Sequence, residues 1–413
     1  MGFPSWSWPL FVALPLVACG TVPKTAVAEA IPRPELAARQ QMVLDELLAR
    51  LDEGYLYPDY GGVEWAARVA LVEHQIAAGL NEEEFQAALE ALVMLLPPGT
   101  ASYTSREERV QADFEVSNTY EGIGAFVSIR AEPEPRILLL SVIENSPAAR
   151  AGLQAHDAVY AVDGTAVSRE EGLAVIDRVR GPAGTNVVLE VASPEQARRQ
   201  VTVERAEVAI GDSLRGGILA PGLIYLLVPV TVDASLFETV AWLLQDMVEK
   251  DQTVVGLVID LRIAGSSSEW PLNEMLSLLG DGRAGSFNSR AEVQPLDIEG
   301  TDIAESQSLP LAILVGPDTS GAPEVFAAAL QAIGRGAIVG LPTSGSVLSF
   351  QSHILPDGSL LTFAESSFVT PDGTDLSLRG LTPDVIVELD WDQVQPGSDP
   401  VLLKAIELLQ QGS

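Results

Sequence analysis

The sequence has little of what most side-chain chemistry requires. Of 413 residues one is Cys and three are His, which excludes disulfide frameworks, Cys-rich zinc sites and most His-based metal cages. Lysine occurs only as Lys24, Lys250 and Lys404. Lys plus Arg number 24 against 57 Asp plus Glu, a net charge of −33. A chain of that sign repels phosphate backbones, so nucleic acid is excluded as a partner. No feature calls for a metal or an organic cofactor. What is present is core-forming material: 47% hydrophobic and 20% charged residues, the balance of a globular chain. At roughly 150 residues per domain the length predicts two or three units.

The amino end carries an apolar run, Pro9 to Ala18. As a helix it covers about 15 Å, half the hydrocarbon core of a bilayer, so residues 1–18 read as an export signal and not as a span. No Lys or Arg precedes the run. Behind it Leu16-Val17-Ala18-Cys19-Gly20 resembles a bacterial lipoprotein cleavage box, which implies lipidation of Cys19, the one cysteine of the chain. Residues 19–34 are small, Pro-containing and aperiodic, a tether. The resulting expectation is an exported protein, lipid-anchored at the extracytoplasmic face of a bacterial membrane.

The remainder predicts an α+β multidomain fold. Residues 35–112 form a helical unit: a stripe of apolar positions from Glu35 to Glu53, a second helix over Val63 to Ala78, and a third opening at Asn81, with Glu84 three residues on, and stopped by Pro97-Pro98. Residues 113–208 turn to short β runs, including Ile137 to Val142, Ala158 to Val162 and Asn186 to Val191. Residues 209–391 alternate strands and helices, an α/β core, and Ser398-Asp399-Pro400 opens a last helix in the segment 392–413.

Two resemblances follow from motifs in order. Gly122-Ile123-Gly124-Ala125, Ser146-Pro147-Ala148-Ala149-Arg150-Ala151-Gly152-Leu153, the turn Asp163-Gly164 and Arg180-Gly181-Pro182 together resemble a PDZ domain. That resemblance implies a site for polypeptide C-termini at Gly122, Ile123, Gly124 and Ala125, where glycines let successive N–H groups converge on a carboxylate while the next strand pairs with the peptide. A PDZ domain followed by Val258-Ile259-Asp260-Leu261-Arg262, Gly334-Arg335, Leu355-Pro356-Asp357-Gly358 and Gly380-Leu381-Thr382-Pro383-Asp384-Val385 resembles the carboxyl-terminal processing, or tail-specific, serine peptidases.

Active members of that family use a Ser nucleophile in a small-residue run, a Lys base 25 residues on and a supporting Gln four further. A buried amine can be neutral enough to activate a hydroxyl. Here the ungapped match puts Gly321 at the nucleophile, Ser346 at the Lys and Phe350 at the Gln, and Ile263-Ala264-Gly265-Ser266-Ser267 replaces the stretch that helps build the oxyanion hole. Four elements are missing together, so no catalytic residue is assigned. The expectation is a pseudopeptidase that binds C-termini, as adaptor or as regulator of an active relative. One rival is an active peptidase with a relocated Ser320/His353 pair; another is a structural envelope protein whose groove is filled by its own side chains. His74 reads as structural or solvent-facing, His156 as a solvent-facing turn residue, and Asp157 and Asp163 as PDZ turn residues. The resemblance also implies self-association through terminal helices, with Glu35 to Glu53 and Pro400 to Gln411 as candidates for a homodimer.

Overall fold

A computed structural model describes residues 33–109, 119–209, 214–220, 222–232, 235–250, 254–265, 270–395 and 397–411. The expected export signal, Cys19 and most of the expected tether lie outside these residues. Among the described residues no helix is long and apolar enough to cross a membrane.

The described residues open with α1 (Arg33–Gly54), α2 (Trp65–Ala78) and α3 (Glu82–Val93). The capping box at Asn81 forms as the spacing predicts: Asn81 Oδ1 accepts from the Glu84 N–H and Glu84 Oε2 accepts from the Asn81 N–H, both at 2.9 Å. Helix α3 ends a turn before the prolines, because Leu95 and Leu96 already donate three residues back in tight turns. These helices do not make a core alone. Val43, Leu44, Leu47, Leu51 and Tyr55 pack with Leu355, Leu361 and Phe363 from far along the chain. Strand β1 (Ala101–Thr104) pairs antiparallel with a strand at Leu360–Val369. The expected boundary near residue 112 therefore cuts through a shared sheet and a shared core.

The next unit comprises β2 (Thr119–Gly122), β3 (Ala125–Arg130), β4 (Arg136–Val142), α4 (Pro147–Arg150), β5 (Ala158–Val162), β6 (Thr165–Ala166), α5 (Val175–Val179), β7 (Asn186–Ala192), β8 (Arg199–Glu204) and β9 (Ala206–Ala209). Its main sheet runs in the order β3-β4-β5-β7-β8, with β3 at one edge.

The core follows: β10 (Arg215–Ala220), β11 (Leu223–Leu227), α6 (Leu236–Lys250), β12 (Gly256–Asp260), α7 (Leu272–Leu279), β13 (Gly282–Ser289), β14 (Val293–Ile298), β15 (Leu311–Val315), α8 (Ala322–Ala332), β16 (Ala337–Gly340), β17 (Leu348–Ile354), β18 (Leu360–Val369), β19 (Val385–Ile386) and α9 (Pro400–Gln411). Strands β11, β12, β15, β16 and β19 pair in parallel, with β10 antiparallel at the edge. The central strands β12 and β15 are buried along their whole length, as expected of parallel strands covered on both faces. One covering layer is α9, whose Val401, Ala405 and Leu409 pack on Val258, Ala312, Leu314 and Val339. The last helix, expected as a segment of its own, thus spends this stripe on the chain's own sheet. Likewise α1 buries Val43, Leu44, Leu47 and Leu51 within its own unit.

Candidate functional site

The turn between β15 and α8 is built from residue types that can be tied down without bulk. The Thr319 hydroxyl donates to Leu261 O at 2.8 Å and accepts from the Gly316 N–H at 3.0 Å. The Ser320 N–H donates to Ala264 O at 3.1 Å and the Gly321 N–H to Ser346 O at 2.9 Å. Thus the two positions aligned with nucleophile and base meet across one backbone hydrogen bond. Gly321 has φ 65° and ψ −133°, a left-handed, glycine-favoring conformation of the kind that active sites hold under strain. The turn has the sharp strand-to-helix geometry that presents a nucleophile, but the residue at its apex has no side chain. The Ser346 hydroxyl accepts from Ser344 Oγ at 2.9 Å and is exposed.

Below this turn Glu324 is fully buried and organises the loop that carries Ser346. Its Oε1 accepts from the Thr343 hydroxyl and, at 2.8 Å, from the Gly345 N–H; Thr343 Oγ1 in turn accepts from the Leu381 N–H at 2.7 Å. Glu324 Oε2 has no partner among the described residues. Burial pushes its pKa up from the ordinary 4.5 against these hydrogen bonds. The folded protein then holds that proton more tightly than the unfolded chain does. The stability it contributes is complete below the unfolded pKa and is lost as pH rises through the raised folded value. Glu324→Gln should therefore gain on the wild type between about pH 4 and about pH 8 in urea unfolding; a pH-independent difference would contradict this.

The remaining candidates are dispersed. Phe350 is exposed on β17. His353 Nε2 is paired with Gln351 Oε1 at 3.2 Å, and its ring stacks on Phe363 with centroids 5.4 Å apart, on the side of the amino-terminal helices. At about 3.3 Å per strand residue it lies some ~17 Å along β17 from Leu348. No hydrogen bond joins it to Ser320 among the described residues, so the relocated Ser320/His353 pair is not assembled. Lys250 and Lys404 are engaged with Asp246 and Glu407 of their own helices, at 2.7 and 3.0 Å. In the oxyanion stretch the Gly265 N–H donates to Val230 O at 3.2 Å; Ser266 and Ser267 lie outside the described residues.

The second candidate, the Gly122–Ala125 loop, joins β2 to β3. Gly124 has φ 81°, and a Cβ there would lie 2.3 Å from Ser146 Cβ, so only glycine closes the loop against α4. A cavity of about 280 Å³ opens beside it, lined by Ile123, Ala125, Val127, Ile137, Ile176 and Val179 among others. The groove is therefore not filled by the chain's own core. Arg180 and Tyr120 stand at its polar end, the guanidinium 5.7 Å from the ring centroid.

Sequence reasoning missed the join between the two candidates. Strand alternation turns Val127 and Ile129 of β3 toward the core of its own unit, and Ser128 and Arg130 the other way, while Phe126 packs against the cluster that holds Trp391. Arg130 pairs with Asp318 at 2.6 Å and Asp390 at 2.9 Å, and Arg136 with Asp392 at 2.6 Å; Ser128 Oγ also donates to Asp318. Asp318 belongs to the turn ending at Gly321. The Trp391 indole N–H donates to Leu139 O at 3.1 Å, and His156 Nδ1–H donates to Trp391 O at 2.8 Å. His156 is thus not a solvent-facing turn residue. Its ring packs at a tilt against Trp391 with centroids 4.1 Å apart, and burial lowers its pKa. The acidic and aromatic run Asp390-Trp391-Asp392 was the sequence signal for this contact.

Residues 233–387 match the family model for peptidase family S41, and residues 139–193 that for a PDZ domain. The chain therefore carries a peptidase family S41 domain behind a PDZ domain. The chain is similar to the carboxyl-terminal-processing protease of Synechocystis sp., 27% identical over 378 residues, covering 88% of this chain and 84% of that protein. The carboxy-terminal-processing protease of Bartonella bacilliformis is 25% identical over 333 residues, covering 78% and 74%. The chain covers 59% of the length of a probable CtpA-like serine protease of Staphylococcus haemolyticus, with 72% of its own length matched at 24% identity. The solved photosystem II D1 C-terminal processing protease shares the fold, with a TM-score of 0.65 at 22% identity over 89% of this chain and 96% of that one.

Proposed function

We propose that this S41 chain binds polypeptide C-termini in its PDZ groove without cleaving them, as an adaptor or as a regulator of an active relative. The observation that carries the reading is Gly321: the apex of the turn has no atom with which to attack, and its neighbour across the hydrogen bond is Ser346, too short and too weakly basic to replace an amine. Groove geometry supports the binding half. Strand β3 is the edge of its sheet and starts at the Gly-Ile-Gly loop, so a peptide whose carboxylate sits at Gly122–Ala125 runs antiparallel to β3, with its last side chain toward the apolar cavity. Its upstream residues then pass the end of β3 that holds Asp318.

The same proposal makes the chain an exported lipoprotein anchored through Cys19. Its net charge of −33 favours neutral or basic peptides over acidic ones. Both halves are testable. Titration with a peptide bearing a free C-terminus, and with its amidated twin, is expected to give binding to the first only. Cys19→Ser is expected to move the chain from the membrane fraction to the soluble one. Equal binding of the two peptides would sink the groove assignment, and an unchanged distribution would sink the anchor.

A further inference from the structure

A second cavity, of about 590 Å³, opens between the amino-terminal helices and the turn that joins β17 to β18. Its size falls within the range of roughly 300–1,000 Å³ for small-molecule sites, and it shares no lining residue with the PDZ groove. The floor is apolar, with Val43 of α1 and Phe85 of α3 both buried. Around it stand charged side chains of both signs: Arg39 of α1, Glu82 in the first turn of α3, Arg106 and Glu107 of the helical turn 106–109, and Asp357 of the β17–β18 turn. Among the described residues no ion pair joins any two of these five. Further along α1, by contrast, Arg50 pairs with both Glu46 and Glu53. Gln40, 2% exposed, lines the same cavity. Its Nε2 donates to Leu80 O at 3.3 Å, which fixes the orientation of the amide, and its buried Oε1 has no partner among the described residues. A buried acceptor left open is costly and calls for a donor.

We infer that this cavity binds a small zwitterion with an apolar body, the chemistry of a short peptide with both ends free. The ammonium goes to Glu82, Glu107 and Asp357, and one of its N–H groups is donated to Gln40 Oε1. The carboxylate goes to Arg39 and Arg106, and the side chains rest on Val43 and Phe85. Burial, then Asp357 and Glu107, raise the Glu82 pKa, a repulsion that an arriving cation relieves. A ligand with one charge would answer only one of the two sets. The PDZ groove, which reads a C-terminus, has no use for the ammonium.

Isothermal titration calorimetry of the full-length chain with the dipeptide Leu-Leu, its N-acetyl form and its amide tests this. Free Leu-Leu is expected to bind, and each blocked form to bind at least about tenfold more weakly, the scale of one hydrogen bond to a charged group. Arg106 and Glu82 are both exposed, so Arg106→Gln and Glu82→Gln leave the core intact. Each is expected to weaken free Leu-Leu about tenfold. Arg106→Gln should also shrink the penalty for the amide and not that for the N-acetyl form, and Glu82→Gln the reverse. No binding of Leu-Leu by the wild type, or an affinity unchanged in both variants, overturns the inference. N-acetyl-Leu-Leu binding as tightly as the free dipeptide overturns it too, since that is how a C-terminus groove alone behaves, and leaves the PDZ assignment standing.

Discussion

Replacing Arg262 with methionine should cost about 3–5 kcal/mol of stability, the scale for removing one partner of a buried ion cluster. Asp260 ends the central strand β12 with no exposure, and the Arg262 side chain is 9% exposed. One guanidinium bridges Asp260 and Asp399, each at 2.6 Å. Asp399 also caps α9 through the Val401 and Leu402 N–H groups, at 3.0 and 3.2 Å, and the guanidinium lies 5.2 Å from the Trp391 ring centroid. This single side chain ties the central strand, the covering helix and the PDZ–core contact together. Without it two carboxylates face each other with only the Tyr225 hydroxyl, 2.8 Å from Asp260, and backbone N–H groups for company. Urea unfolding measures the loss, and Asp260→Asn added to Arg262→Met should recover part of it. A loss below about 1 kcal/mol would mean that the cluster is solvated and contributes as surface pairs do.

The other large effect concerns chemistry. A fluorophosphonate probe should leave the wild type unlabelled and unstructured protein should survive incubation with it, because loss of nucleophile and base together lowers turnover on the order of 10⁶-fold. Gly321→Ser should not reverse this. A serine at φ 65° and ψ −133° is strained by about 1–3 kcal/mol, and its proton has no amine to go to, since Ser346 stands at the base position. Adding Ser346→Lys supplies the amine but not the Gly265 N–H, which is committed to Val230 O. Labelling of the wild type that vanishes in Ser320→Ala would instead mark a nucleophile one residue away.

Much of this molecule was legible in the sequence wherever the cause is local or the spacing fixed. The capping box at Asn81, the buried runs at Leu311–Val315 and Ala158–Val162, and the proline-led last helix follow from neighbours a few residues apart. The meeting of Gly321 with Ser346 followed from the family resemblance, which puts the two at its nucleophile and base positions. What escaped depends on partners far away in the chain. His156 reads as a turn residue from its neighbours, but its partner Trp391 is 235 residues on. Arg130 carries no local sign that it will reach Asp318 and Asp390. The amino-terminal helices looked separable because nothing in residues 35–112 announces that β1 pairs with β18.

The most direct test of the central claim is to bind and to look for cleavage in one vessel. A pool of free-acid peptides with varied C-terminal residues would be equilibrated with the full-length chain, and the bound fraction would be eluted and weighed by mass spectrometry. Selective retention of peptides with apolar C-termini, each recovered intact after prolonged incubation, is the predicted result. Recovery of shortened peptides, or retention that ignores the C-terminus, would contradict it.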